Sequence, residues 1–181
     1  MSDFAKGLAG VTAAETNMSF IDGQEGKLEY VGISIHDLAE HSSFEETVFL
    51  LWNNRLPTAG ELDDFKKELS KRYDLPAGLA RRVAEIPTTA QPMHVLRTLV
   101  SEMSLYDTHP NDNDVEQARR KALNILGQAP TIVAMFDRCR RGLPIVQPDP
   151  SLGFSANFLY MLNGEKPTET MARAFDICMI T

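Results

Sequence analysis

From Phe44 onward the apolar positions recur mostly at three- and four-residue spacing, the period of a helical face. Ser43 and Glu46 have capping-box spacing ahead of a helix from Phe44 to about Asn53. Thr58 and Glu61 repeat that signal for a helix to about Tyr73, with Leu62, Phe65 and Leu69 on one face. Pro76 and Pro92 suit the first turns of two more helices. One runs to Glu85; the other ends near Tyr106 and carries Met93, Leu96, Leu99, Val100 and Met103 as a broad stripe. The polar "DTHPNDND" caps a helix from about Asp114 to Gly127, and Pro130 opens another in which Ile132, Val133, Phe136 and Cys139, with Met135 alongside, face inward. Arg138, Arg140 and Arg141 crowd the last turn of that helix, where cations are favourable without any ligand. The extended "LPIVQPDP" then leads to a helix from about Ser151 to Leu162, stopped by Asn163-Gly164.

One stretch alternates as strands do. In "SFIDGQEGKLEYVG" the runs Ser19–Ile21 and Lys27–Val31 flank a turn, and Leu28 and Tyr30 alternate with Lys27 and Glu29. The fold class is therefore mainly α, a multi-helical domain with a small N-terminal β-hairpin at about residues 19–31. Nothing marks an internal domain boundary.

The final stretch, "TETMARAFDICMIT", is helical from Thr168, with Met171, Ala174, Phe175 and Cys178 on one face. Ala172, Ile177, Met179 and Ile180 cover most of the remaining circumference, and a helix apolar nearly all round belongs inside a protein. It has no Gly, Asn, basic residue or Pro as a stop signal. Two readings stand at this point: a terminal helix docked on its own core, or a chain interrupted within a buried element.

Composition narrows the classes. With 181 residues, 43% apolar and 24% charged, the chain reads as a soluble globular protein able to bury a core. A net charge of −7 argues against general nucleic-acid binding or residence on anionic membranes. No apolar run resembles a signal peptide or a membrane span, so Asn17-Met18-Ser19 has no meaning as a glycosylation acceptor. Cys139 and Cys178 lack the paired spacing of zinc or redox motifs, and a cytoplasmic protein with reduced thiols is expected.

Candidate chemistry is sparse. "DGQEG" lacks the spacing and following helix of a phosphate loop, and "NDND" lacks the Gly and closing Glu of a calcium loop. His36, His41, His94 and His109 form no metal spacing, so no metal site is expected, and no nucleophile has an evident base.

Several stretches, in order, resemble the N-terminal half of the citrate synthase family. "GLAGVTAAETNMSFIDGQEGKLEYVGISIHDLA" resembles the family's GLxGV opening, DGxxGxLxYRG hairpin and first helix. "SSFEETVFLLWNNRLPTAGEL" resembles its SFEE…LL…LPT…EL segment, and "QPMHVLRTLVSEM" its HPMDVLRT helix. "APTIVAMFDRCRRGLPIVQPDP" and "LGFSANFLYMLNGEKP" resemble the PT…R…G…P segment and the ANFLYML helix. "AFDICMIT" resembles the helix that leads into an LHADH-type histidine motif.

The resemblance covers Gly7 to Thr181 and implies a citrate synthase-like large helical domain, without the small domain and the C-terminal part. It implies an enzyme that condenses acetyl-CoA with oxaloacetate to citrate and CoA. In the family an aspartate deprotonates the acetyl methyl group while histidines stabilise the enolate and polarise the oxaloacetate carbonyl. None of those motifs is present, so no catalytic residue is expected in this chain, which alone would be inactive. No cofactor is implied, since acetyl-CoA is a substrate, and its substrate-binding residues stay unassigned. A homodimer is implied, through helices resembling those after Pro92 and Pro130. The final helix would lack its stop signal because its continuation is missing.

Departures from the family pattern are Val31 for the Arg of YRG, and Gln91 and His94 in the HPMD segment. Asn124 and Gln128 stand where the NADH-sensing branch has basic residues, which points to the simpler homodimeric branch. A 2-methylcitrate synthase using propionyl-CoA is the rival within the enzyme class. A non-catalytic helical self-association module is the rival outside it. The fragment reading expects an exposed apolar face at Phe175, Ile177 and Ile180.

Overall fold

The computed structural model describes residues 7, 10–12, 14–112 and 114–181. Three strands, β1 (Ser19–Asp22), β2 (Lys27–Tyr30) and β3 (Ile33–Ser34), form an antiparallel sheet in that order. Helices follow: α1 (Ile35–His41), α2 (Phe44–Asn53), α3 (Ala59–Ser70), α4 (Ala77–Glu85) and α5 (Pro92–Glu102). After a 3₁₀ turn at Met103–Tyr106 come α6 (Val115–Arg140), α7 (Phe154–Asn163) and α8 (Glu169–Ile180). Leu8 and Ala9 of the "GLAGV" opening and Asn113 of "NDND" lie outside the described residues.

The expected hairpin is in fact a three-stranded meander. Val31, read as the end of a strand, instead occupies a two-residue turn with Gly32, at φ 52° and 78°. Tyr30 pairs with Ile33 across it. Two successive positive φ values define a type I′ turn, whose twist suits a hairpin. Gly32 adopts this geometry freely, whereas a β-branched Val31 does so under strain of about 1–2 kcal/mol. A strand of only two residues has no alternation to read, which hid β3 from the sequence pattern.

The larger departure concerns Pro130. It opens no new helix but sits inside α6, which runs unbroken for 26 residues, about 39 Å at 1.5 Å per residue. The reason is tertiary. Leu123 and Leu126 on its first half pack on a core of Leu38, Val48, Leu50, Leu69, Tyr73 and Phe154. Ile132, Met135 and Phe136 on its second half belong to another, with Leu79, Val83, Val95 and Leu99. Between the two, the Thr131 hydroxyl donates to the Tyr73 carbonyl at 2.7 Å. A proline inside a helix costs about 3 kcal/mol, which burial on two cores offsets. Val133, read as inward, is 38% exposed.

Gly127 makes this arrangement possible. A Cβ there would lie 2.7 Å from the Arg72 carbonyl oxygen and 2.9 Å from its carbon, with backbone that has no rotamer to escape into. In an exposed helix, Gly-to-Ala gains about 1 kcal/mol. Here the sign reverses, and Gly127→Ala is expected to lower stability by about 1–3 kcal/mol, read as a shift in the chemical denaturation midpoint.

Caps set most helix starts as expected. Thr58 and Glu61 form a reciprocal capping box on α3. Arg55 also donates to Glu61, and together with the Thr58 bonds it holds that carboxyl at about 2, below the ordinary 4.5. A carboxyl with a depressed folded-state pKa stabilises fully above its unfolded value. Its contribution is therefore complete above about pH 4.5 and lost as the pH falls toward 2. Glu61→Gln is expected to flatten the decline of Tm across that acid window relative to the unmodified chain.

Candidate functional site

The polar groups that the fold gathers most closely lie where α1, α2, α7 and α8 meet. Asp176 of α8 is 9% exposed and accepts from the Phe44 backbone N–H at the start of α2, with both oxygens at 3.3 Å. The Ser155 hydroxyl donates to the same carboxylate at 2.8 Å, and Arg173 Nη1 at 3.2 Å. Glu45, 4% exposed, accepts from the Phe154 N–H that opens α7 at 3.0 Å. Each carboxylate sits at a helix N-terminus, where orphan N–H groups and the dipole favour negative charge. Arg173 does the converse for α1, donating to the carbonyls of Ala39 (2.5 Å), Glu40 (2.9 Å) and Ser42 (2.6 Å). Phe44 and Phe154, the first residues of their helices, stack at 4.4 Å beside this cluster. Every charge here is used to terminate a helix, so the cluster is architectural.

Arg138 serves the same purpose at the other end of α7. It is 6% exposed, not on a solvated last turn, and donates to Leu162 O at 3.0 Å and Pro144 O at 2.5 Å. Gly164, at φ 86°, closes α7 against that guanidinium. Asp149 sits nearby, its carboxyl lowered to about 2 by bonds from Ser151 and then Lys166.

The residues considered for chemistry stay apart. His36, His41, His94 and His109 are all exposed, and among the described residues no group of three or more His, Cys, Asp or Glu could hold a metal. Cys139 and Cys178 are unpaired thiols. "DGQEG" is a turn in which Asp22 accepts from the N–H groups of Gln24 and Glu25, and Asp114 caps α6 through Gln117 N–H. Asn124 and Gln128 line a cavity of about 200 Å³ together with Lys121, a cation that sequence reasoning passed over. Its ammonium is already engaged by the carbonyls of Pro110 (3.0 Å) and Asp112 (2.5 Å).

Two apolar surfaces face outward instead. One is a groove of about 280 Å³ between α5, α6 and α7, lined among others by Met93, Leu96, Val133, Phe136, Phe158 and Leu162. The other is α8 itself, where the structure reverses the expected orientation. Of the three residues expected to be exposed, Ile180 is 2% exposed and Phe175 and Ile177 are half-buried, while Met171 (48%), Ala174, Cys178 and Met179 (39%) are exposed. The inward side is set by Asp176 and Arg173, whose partners lie on α1 and α2. The apolar stripe is thereby turned away from this chain's core.

Comparison with known proteins places this fold. The family model "Citrate synthase, C-terminal domain" matches residues 7–181. The citrate synthase of Haloferax volcanii is 46% identical over 184 aligned positions, covering 98% of this chain and 48% of that protein. The 2-methylcitrate synthase of Mycobacterium tuberculosis H37Rv is 39% identical over 180, covering 98% and 45%. Among solved structures, citrate synthase from Pyrobaculum aerophilum superposes with a TM-score of 0.88 at 33% identity, over 96% of this chain and 45% of that one. The chain spans about half the length of the curated relatives it matches.

Removing the carboxylate at the four-helix junction leaves the Phe44 N–H, the Ser155 hydroxyl and Arg173 without it. Asp176→Ala is expected to cost about 1–3 kcal/mol, the scale for leaving buried hydrogen-bond donors without their acceptor. Asp176→Asn, which still accepts, should cost less, as measured by thermal denaturation of both variants.

Proposed function

The chain belongs to the citrate synthase family, and on that footing we propose that it forms the N-terminal half of an enzyme condensing acetyl-CoA with oxaloacetate and water to citrate and CoA. The observation that carries this is the 46% identity with a citrate synthase across 98% of the chain. The order of motifs from "GLAGV" to "AFDICMIT" supports placement in the N-terminal half. The lower 39% identity with a 2-methylcitrate synthase supports the second reading, in which propionyl-CoA is the acyl donor.

In this reading the chain contributes scaffold and no reacting group. Condensation requires donors already in place where the enolate charge develops, and a base within hydrogen-bond reach of the methyl proton. The four exposed, separated histidines meet neither requirement. The subunit contact of a cytoplasmic homodimer is assigned to α5 and the second half of α6, where Met93 is 69% exposed beside Val133. The open groove between them has the apolar lining that such a contact uses.

The test is steady-state assay of CoA release with oxaloacetate and either acetyl-CoA or propionyl-CoA. The 181-residue chain should give no turnover. The complete enzyme should sediment as a dimer and prefer acetyl-CoA. Turnover by the chain alone, or a preference for propionyl-CoA, would refute the corresponding part.

A further inference from the structure

β1 forms one edge of the sheet, and among the described residues no strand pairs with its outer side. The other edge, β3, is only two residues long and runs directly into α1. On β1, Phe20 is 56% exposed and Ile21 71%, and Met18 just before it is 45% exposed. Edge strands are usually blunted by lysine or proline, because their open backbone groups are a template for another strand. The stretch "MSFID" contains neither. Its single charge, Asp22, is turned back to accept from the N–H groups of Gln24 and Glu25.

The ladder fixes which backbone groups are open. Val31 N–H donates to the Met18 carbonyl at 2.9 Å, and the register continues with Ser19 opposite Tyr30 and Phe20 opposite Glu29. Bonding direction alternates along an antiparallel strand, so Phe20 and Asp22 also bond toward β2, while Ser19 and Ile21 direct their N–H and C=O groups outward. A copy of β1 laid antiparallel on that edge has to bond through the same two residues. Pairing Ser19 of one chain with Ile21 of the other satisfies both, and a two-fold axis repeats the pair. This register sets Phe20 against its own counterpart in the closer, non-hydrogen-bonded position, with Met18 of the copy on the diagonal. The strand is complementary to itself in hydrogen bonding and in apolar contact at once.

We propose that the outer edge of β1 is a self-association site, where a second copy of this chain adds its own β1 antiparallel and joins the two small sheets into one. Phe20 and Met18 leave water on one face of the joined sheet, and Ile21 packs beside Ser19 of the copy on the other. The contact is isologous and closes on itself, since each copy contributes its one open edge. It is small, short of the roughly 1,000 Å² that stable interfaces bury, so the pair exchanges readily. It lies on elements other than α5 and α6 and does not depend on the functional reading.

The experiment traps the pair in the full 181-residue chain, with Cys139→Ser and Cys178→Ser removing the native thiols. Phe20→Cys places two thiols on directly opposed residues, about 4.5 Å apart at Cα and within disulfide reach. Ile21→Cys leaves the thiols two residues out of register. With diamide as oxidant, Phe20→Cys should give covalent dimer at least about tenfold faster than Ile21→Cys. Adding Ile21→Pro to Phe20→Cys should slow the reaction about tenfold or more, because each copy loses an N–H that donates across the contact. That proline leaves the bonds between β1 and β2 in place, which slow exchange of the Glu29 amide checks. In the unmodified chain, the Ser19 and Ile21 amides should exchange more slowly as the protein is concentrated. No dimer through position 20, equal crosslinking through position 21, or indifference to Ile21→Pro would each overturn the proposal. So would protection of the two amides at every concentration, which would place another segment of the same chain on the edge.

Discussion

One helix serves two cores, and it can do so only where it runs hard against the backbone at Arg72. The absent side chain at Gly127 sets the distance between α6 and the end of α3. At larger separation, Leu126 and Ile132 could not both stay packed, because they lie on opposite sides of that approach along one rigid rod. The Thr131 bond to Tyr73 then fixes the rotation of α6 about its axis. Cores are close-packed and transmit displacement, so the groups hung on either core inherit the precision of this contact.

The junction at α8 solves a different problem by different means. Three helix ends converge there on the side of α8, and converging ends bring orphan N–H and C=O groups with them. Asp176, Glu45 and Arg173 satisfy those groups directly. A buried charge costs several kcal/mol in lost hydration unless it is paired and hydrogen-bonded. Here each one meets a dipole end and at least one donor or acceptor. The arrangement also has directional consequences. Apolar packing tolerates some rotation of a helix, whereas hydrogen bonds from one residue to Phe44 N–H and Ser155 tolerate little. Polar contacts thus decide which side of α8 faces the core.

That explains which parts were legible in the sequence. Caps are local, so Thr58 with Glu61, Pro92 at the first turn of α5 and Gly164 after α7 announced their helices correctly. Periodicity reports that a stripe exists but not what it faces. For α8 the deciding residue was a charged one, whose partner Phe44 lies 132 positions away. Nothing within a helical window carries that information. Pro130 failed for a related reason: a local breaker was outweighed by packing on two cores built from residues distant in sequence. Val31 failed because a strained turn leaves no compositional trace beyond Gly32. For the candidate site, the motifs supplied the family, while the roles of Asp176, Arg173 and Arg138 became readable only from their partners.

The separation of scaffold from chemistry has a physical logic under the proposed function. A reaction that develops negative charge on a carbon acid needs donors held within fractions of an ångström of their productive positions. Groups seated against a surface that is already rigid are positioned by that surface. The described half has the properties such a surface requires: helix ends tied by buried polar bonds, a shared beam through two cores, and an apolar stripe whose direction is fixed from behind. A scaffold whose junctions rested on histidines would couple its geometry to their protonation near neutral pH. In this half the buried charges are spent on helix ends, and the histidines are left in solvent.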